Sequence, residues 1–140
     1  MRYKYLLLLL ALLALNTPIS AEYFRHIGLS EGLTQPSVMS IHQDQLGRMW
    51  FGTLEGLSCY DGNSMTVYKP SQDSVRSFLG NNVDNLVSDK QGNLFVGTKK
   101  KGLLRYNRKE NNFTLVPYMG NESLSASCMS LVDNRLLVGT

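Results

Sequence analysis

One six-residue stretch limits what this chain can fold into. Arg48-Met-Trp-Phe-Gly-Thr53 returns as Asn93-Leu-Phe-Val-Gly-Thr98 and again as Arg135-Leu-Leu-Val-Gly-Thr140. The Gly-Thr steps lie 45 residues apart (52 to 97) and then 42 apart (97 to 139). Around the first two copies fall four short strand-like runs separated by turn residues. A unit of about 40–50 residues with four such runs is the signature of a β-propeller blade. The fold class expected is therefore all-β, built of four-stranded antiparallel blades. The repeat says far less about activity, because propellers host many unrelated functions.

A closed propeller takes about 4–8 blades. At this spacing 140 residues hold two full units and part of a third. The expectation is an incomplete ring of about two and a half blades, belonging to a longer product or a truncated reading frame. Residues 22–140 alone are not expected to fold stably, since the side of the third blade would lie uncovered.

The first 21 residues read as a signal peptide. Arg2 and Lys4 supply the positive start, Leu6 to Leu15 is a run of ten Leu and Ala residues, and Asn16 and Pro18 break it. Ile19-Ser-Ala21 places a small residue before a cut between Ala21 and Glu22. Ten apolar residues are too few to span a bilayer, which takes roughly 20. Glu22 is not a cysteine, which argues against a lipid anchor there. Removing Arg2 and Lys4 leaves 12 basic against 11 acidic residues. The basic balance thus belongs largely to the signal, and a nucleic-acid role for this segment loses its support.

The remainder, 22–140, divides into a clasp strand (22–27), blade one (28–70), blade two (71–117) and the start of blade three (118–140). Tyr23–Ile27 is strand-like without a set of partners, as expected of a strand that completes another blade. In blade one the spacing predicts strands at 38–42, 49–52, 57–60 and 65–68. In blade two it predicts 83–87, 94–97, 102–106 and 113–116. Asp44-Gln-Leu-Gly47 and Asp89-Lys-Gln-Gly92 are four-residue turns, with Asp capping backbone N–H groups and Gly supplying a left-handed exit. Asp61-Gly62 marks a hairpin. Blade three opens at 128–131, and its turn shortens to Asp133-Asn134, which accounts for the 42-residue step.

Few residues invite a chemical reading. Asp44 and Asp89 recur at one turn of successive blades, a blade width apart, whereas paired acid/base carboxyls stand about 5–9.5 Å apart. Turn capping explains them better. His26 and His42 lack a nucleophile at a recognisable spacing. Lys99-Lys-Lys101 reads as a solvated hairpin tip, with an anionic sugar or a membrane surface as the functional alternative. Trp50 and Tyr60 have rings that suit stacking on a sugar, yet Trp50 lies in a run apolar on both faces and reads as core. Cys59 and Cys128 fall in non-adjacent units and are expected to be two buried free thiols. The pattern suggests no catalytic residue, metal ligand or cofactor site, and it assigns no ligand-binding residue. Asn112-Phe-Thr114 and Asn121-Glu-Ser123 are glycosylation sequons by pattern only.

Gly32-Leu-Thr, the Val38, Ile41, Asp44, Gly47 spacing, then Met49-Trp-Phe-Gly-Thr53 and Gly56-Leu-Ser-Cys-Tyr-Asp61 resemble the two-component regulator propeller repeat. The opening Tyr23-Phe-Arg-His-Ile27 is similar to the start of such sensors after their signal. The chain departs from the pattern at Cys59, where Arg or Asn is usual, at Phe95, where Trp is usual, and in the shortened turn of blade three. The resemblance implies the start of the periplasmic region of a hybrid sensor, with two seven-bladed propellers and a β-sandwich before a membrane helix in the full-length protein. Kinase, receiver and DNA-binding parts would follow. It further implies an oligosaccharide ligand, control of glycan-utilisation genes, homodimerisation in full-length form and anchoring in the inner membrane. These 140 residues would be a binding module without enzymatic activity, in contact with further blades and not with nucleic acid. A carbohydrate-active enzyme on a propeller scaffold and a structural interaction platform are the alternatives.

Overall fold

The computed structural model describes residues 23–70, 80–117 and 125–140. Two four-stranded antiparallel sheets and one two-stranded sheet make up almost all of it. Blade one runs β1 (Val38–Gln43), β2 (Met49–Thr53), β3 (Gly56–Tyr60) and β4 (Met65–Tyr68). Blade two repeats the order with β5 (Val83–Ser88), β6 (Leu94–Thr98), β7 (Gly102–Asn107) and β8 (Asn112–Leu115). Blade three is represented by β9 (Cys128–Val132) and β10 (Arg135–Gly139). Each sheet is a meander in sequence order. β1 packs on β5, and β5 on β9, so consecutive blades converge at their first strands. The fold is all-β and built of propeller blades.

The signal peptide, its Ala21–Glu22 cut, residues 71–79 at the start of blade two and the second sequon, Asn121, lie outside the described residues. Tyr23–Ile27 enters no ladder, and Tyr23 and Phe24 stand in solvent, 89% and 86% exposed. Between it and β1 lies a single 3-10 turn, Leu29–Glu31, closed by a left-handed Gly32. The repeat pattern gave no hint of that turn.

Turn chemistry fixes the registers. Asp44 Oδ1 accepts the N–H groups of Leu46 and Arg48, and Asp89 Oδ1 accepts those of Gln91 and Asn93. Gly47 and Gly92 leave these turns at φ of 78° and 82°. Blade three solves the same corner with two residues. Asp133 and Asn134 both take positive φ, 47° and 64°, the arrangement that joins antiparallel strands with a two-residue loop.

The repeated Gly-Thr step has two separate causes. A Cβ on Gly52 would come 2.5 Å from the carbonyl oxygen of Val83 and 2.7 Å from its Cγ1, so only glycine lets blade two approach. Ala126 of the third unit approaches Gly97 less closely, with 3.2 Å from its Cβ to a Cβ built there. The threonines serve the next corner. Thr53 Oγ1 donates to Gly56 O and accepts from Glu55 N; Thr98 Oγ1 does the same with Gly102 O and Lys101 N.

The core lies between the sheets. Trp50, Leu57, Cys59 and Tyr68 of blade one meet Val83, Leu94, Val96, Leu104 and Phe113 of blade two. Part of the other side of blade one is covered by the 33–35 segment, through Thr34 N to Ser58 Oγ and Leu54 N to Gln35 Oε1. Met39 and Ile41 on β1 remain exposed.

Both cysteines are free thiols, but only Cys59 is buried. The expectation of a buried Cys128 is corrected. The residue stands on a side of β9 that no sheet covers among the described residues, with its Sγ over Gly139.

Candidate functional site

The seam between blades one and two brings together a carboxylate, an arginine, a histidine and a cluster of aromatic rings. Its organising group is Asp44, at the corner after β1. Asp44 Oδ2 accepts Arg48 Nε at 2.7 Å and the Trp50 indole N–H at 2.9 Å, in addition to the two backbone donors on Oδ1. Burial opposes the charge, but the Trp50 and Arg48 donors outweigh it and hold the carboxyl below its usual range. Arg48 lies 5.1 Å from the Trp50 ring centre and 5.6 Å from that of Tyr106. A cation of blade one thus rests against a ring of blade two, a favourable contact with the ring's negative face.

The rings form one cluster across the seam. Trp50 stacks on Tyr68 at 5.9 Å and meets Tyr106 edge-on at 5.0 Å. Phe113 lies 5.1 Å from both tyrosines. The Tyr68 and Tyr106 hydroxyls both donate to Asn111 Oδ1, at 2.6 and 2.9 Å. Asn111 itself adopts φ 51°, a conformation asparagine tolerates better than most residues. Burial and the neighbouring Tyr106 push the Tyr68 phenol upward, and burial pushes the Cys59 thiol up to about 11. His42 Nε2 lies 2.7 Å from Ser88 Oγ across the seam; burial lowers its pKa, against the pull of Asp44.

At the turn end, the seam opens into a cleft of about 560 Å³. Gln45 and Leu46 of blade one form one wall, and 91–93 with 105–109 of blade two form the other. Gln45 ties the walls together, donating from Nε2 to Asp89 O at 3.1 Å and to Lys90 O at 3.0 Å. A Cβ on Gly92 would come 2.9 Å from Gln45 Oε1, so glycine there keeps the crossing tight.

Residues 32–55 match the family model described as the two component regulator propeller. That match spans one repeat unit of the chain. Those residues contain the Asp44 turn, Trp50 and the first Gly-Thr step, the features that build the seam. Among solved structures, the chain is similar to the extracellular domain of a hybrid two component system from B. thetaiotaomicron. The TM-score is 0.71 and the identity 28%, over 83% of this chain and 17% of that one. Among curated proteins it is similar to Histidine kinase P4 of Formosa agariphila, 32% identical over 65 residues. That match covers 46% of this chain and 5% of the kinase.

In the propeller repeat, Asp44 and Asp89 are turn caps, as their spacing implies. Each is occupied by donors from its own turn. The sequence reading missed how each repeat satisfies the second carboxylate oxygen. Blade one uses Arg48 and Trp50; blade two has Asn93 and Phe95 at the matching positions, and Asn93 Nδ2 donates to Asp89 Oδ2 at 2.6 Å. The paired exchange is visible in the aligned repeats once the bond is known. Trp50 is fully buried, as its two-sided apolar strand implies. Tyr60 is half-buried, with Arg25 donating to its hydroxyl at 2.6 Å and that hydroxyl donating to Gly62 O. His26 is exposed and is not brought to His42. In the Lys99–Lys101 tip, Lys99 Nζ lies 3.6 Å from Asp84. Among the described residues no group of three or more His, Cys, Asp and Glu could hold a metal ion.

Proposed function

We propose that this chain is part of the ligand-sensing region of a hybrid two-component sensor. It is exported to the periplasm and recognises an oligosaccharide there. Through the kinase and DNA-binding parts of the whole sensor it controls genes for glycan use. The observation that carries this reading is the likeness of 83% of the chain, at 28% identity, to an extracellular domain of such a system. The chain spans 17% of that domain and 5% of the curated kinase, so ligand and output are inferred for the whole and not read from this segment.

The seam suggests how a propeller of this kind transmits occupancy. Gly52 against Val83 leaves no slack between blades one and two. A ligand held at the rim acts by preferring one arrangement of neighbouring units over another. It can shift that balance only by its difference in affinity for the two; a tenfold shift needs about 1.4 kcal/mol.

The test is calorimetric titration of the intact protein with a panel of plant, algal and host oligosaccharides, paired with expression of a glycan-utilisation reporter. Micromolar binding to one class, matched by induction, supports the reading. Silence across the panel refutes it.

A further inference from the structure

We infer that the cleft at the turn end of the seam is a subsite for an acidic group, a uronate carboxylate or a sulfate ester, carried by the oligosaccharide; this rests on the sensor reading above. Among the described residues three cations, Arg105, Arg108 and Lys109, line the cleft, and no carboxylate does. Among the described residues the ion pairs are Arg48 with Asp44, Lys69 with Glu55 and Lys99 with Asp84. None of the three cleft cations takes part.

The acids nearest in sequence are already engaged. Glu110 Oε2 accepts Asn112 Nδ2 at 3.0 Å. Asp89 is saturated by the N–H groups of Gln91 and Asn93 and by the Asn93 amide. Two of the neutral donors of the walls are committed, Gln45 to the next turn and Asn93 to Asp89. What the cleft offers a ligand is three cations, with the Gln91 and Asn107 amides beside them.

Isolated surface cations are usually a solvated face. These differ because a concave site draws them from the end of β7 and the loop after it, opposite a wall from the neighbouring blade. Concave sites concentrate field and hold a ligand that an open tip does not. A volume of about 560 Å³ falls within the size range of small-ligand sites. A guanidinium fork matches the paired oxygens of a carboxylate or sulfate. The Lys99–Lys101 tip is the internal contrast: it has equal formal charge but belongs to the opposite ends of the strands, and one of its cations is paired with Asp84.

The test titrates the intact protein with three oligosaccharides of equal length: an oligogalacturonate, a sulfated carrageenan fragment and a neutral cello-oligosaccharide. At least one acidic probe is expected to bind, and more weakly as salt rises from about 50 mM to about 500 mM, where screening shortens to a few ångströms. The triple variant Arg105→Gln, Arg108→Gln, Lys109→Gln is expected to lose about tenfold or more. Replacing Lys99, Lys100 and Lys101 by Gln removes the same charge elsewhere and is expected to leave affinity within about twofold. Gln91→Glu, at an exposed turn position whose side chain holds nothing in the fold, puts a carboxylate at the cleft and is expected to weaken the acidic probe. This single substitution keeps the test valid if the cleft triple variant unfolds. Equal loss in both triple variants, or an unchanged affinity in Gln91→Glu, overturns the inference. Binding of the neutral oligomer alone overturns it and leaves the sensor reading standing. Binding of no oligosaccharide at all overturns both.

Discussion

Gly52→Ala asks the seam to admit one methyl group where it has no room. The new Cβ would overlap Ser40 Oγ and lie 2.5 Å from Val83 O and 2.7 Å from Val83 Cγ1. Ser40 can rotate, at the loss of its 3.3 Å bond to Val83 O. The carbonyl belongs to backbone and cannot move unless blade two moves with it. Overpacking of this kind costs about 1–3 kcal/mol, and a backbone obstacle places it near 3. Alanine recovers about 0.4–1 kcal/mol by restricting the unfolded chain, leaving a net loss of about 2 kcal/mol. Gly97→Ala is the matched control. Its Cβ meets Asn85 Cβ at 3.1 Å, Ala126 Cβ at 3.2 Å and the Ala126 carbonyl oxygen at 3.3 Å, contacts that a few tenths of an ångström relieve, unlike the 2.5 Å approach of the Val83 carbonyl at Gly52. Its net loss should be below about 1 kcal/mol. Urea titrations of the intact protein, followed by circular dichroism and by the fluorescence of Trp50, the one tryptophan in the sequence, give both values. Adding Val83→Ala to Gly52→Ala should recover little, because the carbonyl obstacle stays. Equal losses at 52 and 97, or full rescue by Val83→Ala, would refute the account of why the glycine recurs.

Asp44→Asn should cost about 2–3 kcal/mol, since an amide cannot serve Arg48, Trp50 and two backbone donors together, whereas Asp89→Asn should cost about 1 kcal/mol. The same urea midpoints read both. Asp44 has a lowered folded pKa, so its contribution is complete above its unfolded value, about 3.9, and is lost as pH falls through the folded one. His42 has the same sign for a different reason: burial lowers its folded pKa, so below about 6.5 the unfolded chain takes up the proton more readily and stability declines. Midpoints measured from pH 8 to pH 3 should show both steps, and His42→Gln should remove only the upper one. An aromatic disulfide reagent at pH 8 should modify Cys128 within minutes and Cys59 only on unfolding, because Cys59 is buried with its pKa near 11. Two thiols reacting at one rate in the native protein would contradict this.

The local parts of the fold were legible because each is written within a few residues. Asp44 and Gly47 announce a turn, and Asp133-Asn134 announces a shorter one. The strand edges slip where backbone geometry decides. Gly56 joins β3 because it pairs with Thr53, and β8 begins at Asn112 because Asn107 pairs with it there. Contacts between segments 45 residues apart were not legible. Nothing in the sequence of Gln45 says that it grips the turn of the next blade, or in Tyr68 that it shares Asn111 with Tyr106. Cys128 was misjudged because burial depends on a neighbouring sheet and not on the residue. The charge of the cleft escaped the sequence reading for a similar reason: Arg105, Arg108 and Lys109 are scattered among ordinary strand and loop residues until the wall from blade one makes them a concave group.

The placement of the core has a practical consequence for anyone cutting or grafting this protein. A sheet lifted out along its connectors is only half of an interior. Transplanting blade one without Val83, Leu104 and Phe113 would leave Trp50 in water, however faithfully its four strands were copied. Swaps should therefore be drawn from the middle of one blade to the middle of the next, so that each transferred piece brings both sides of a seam.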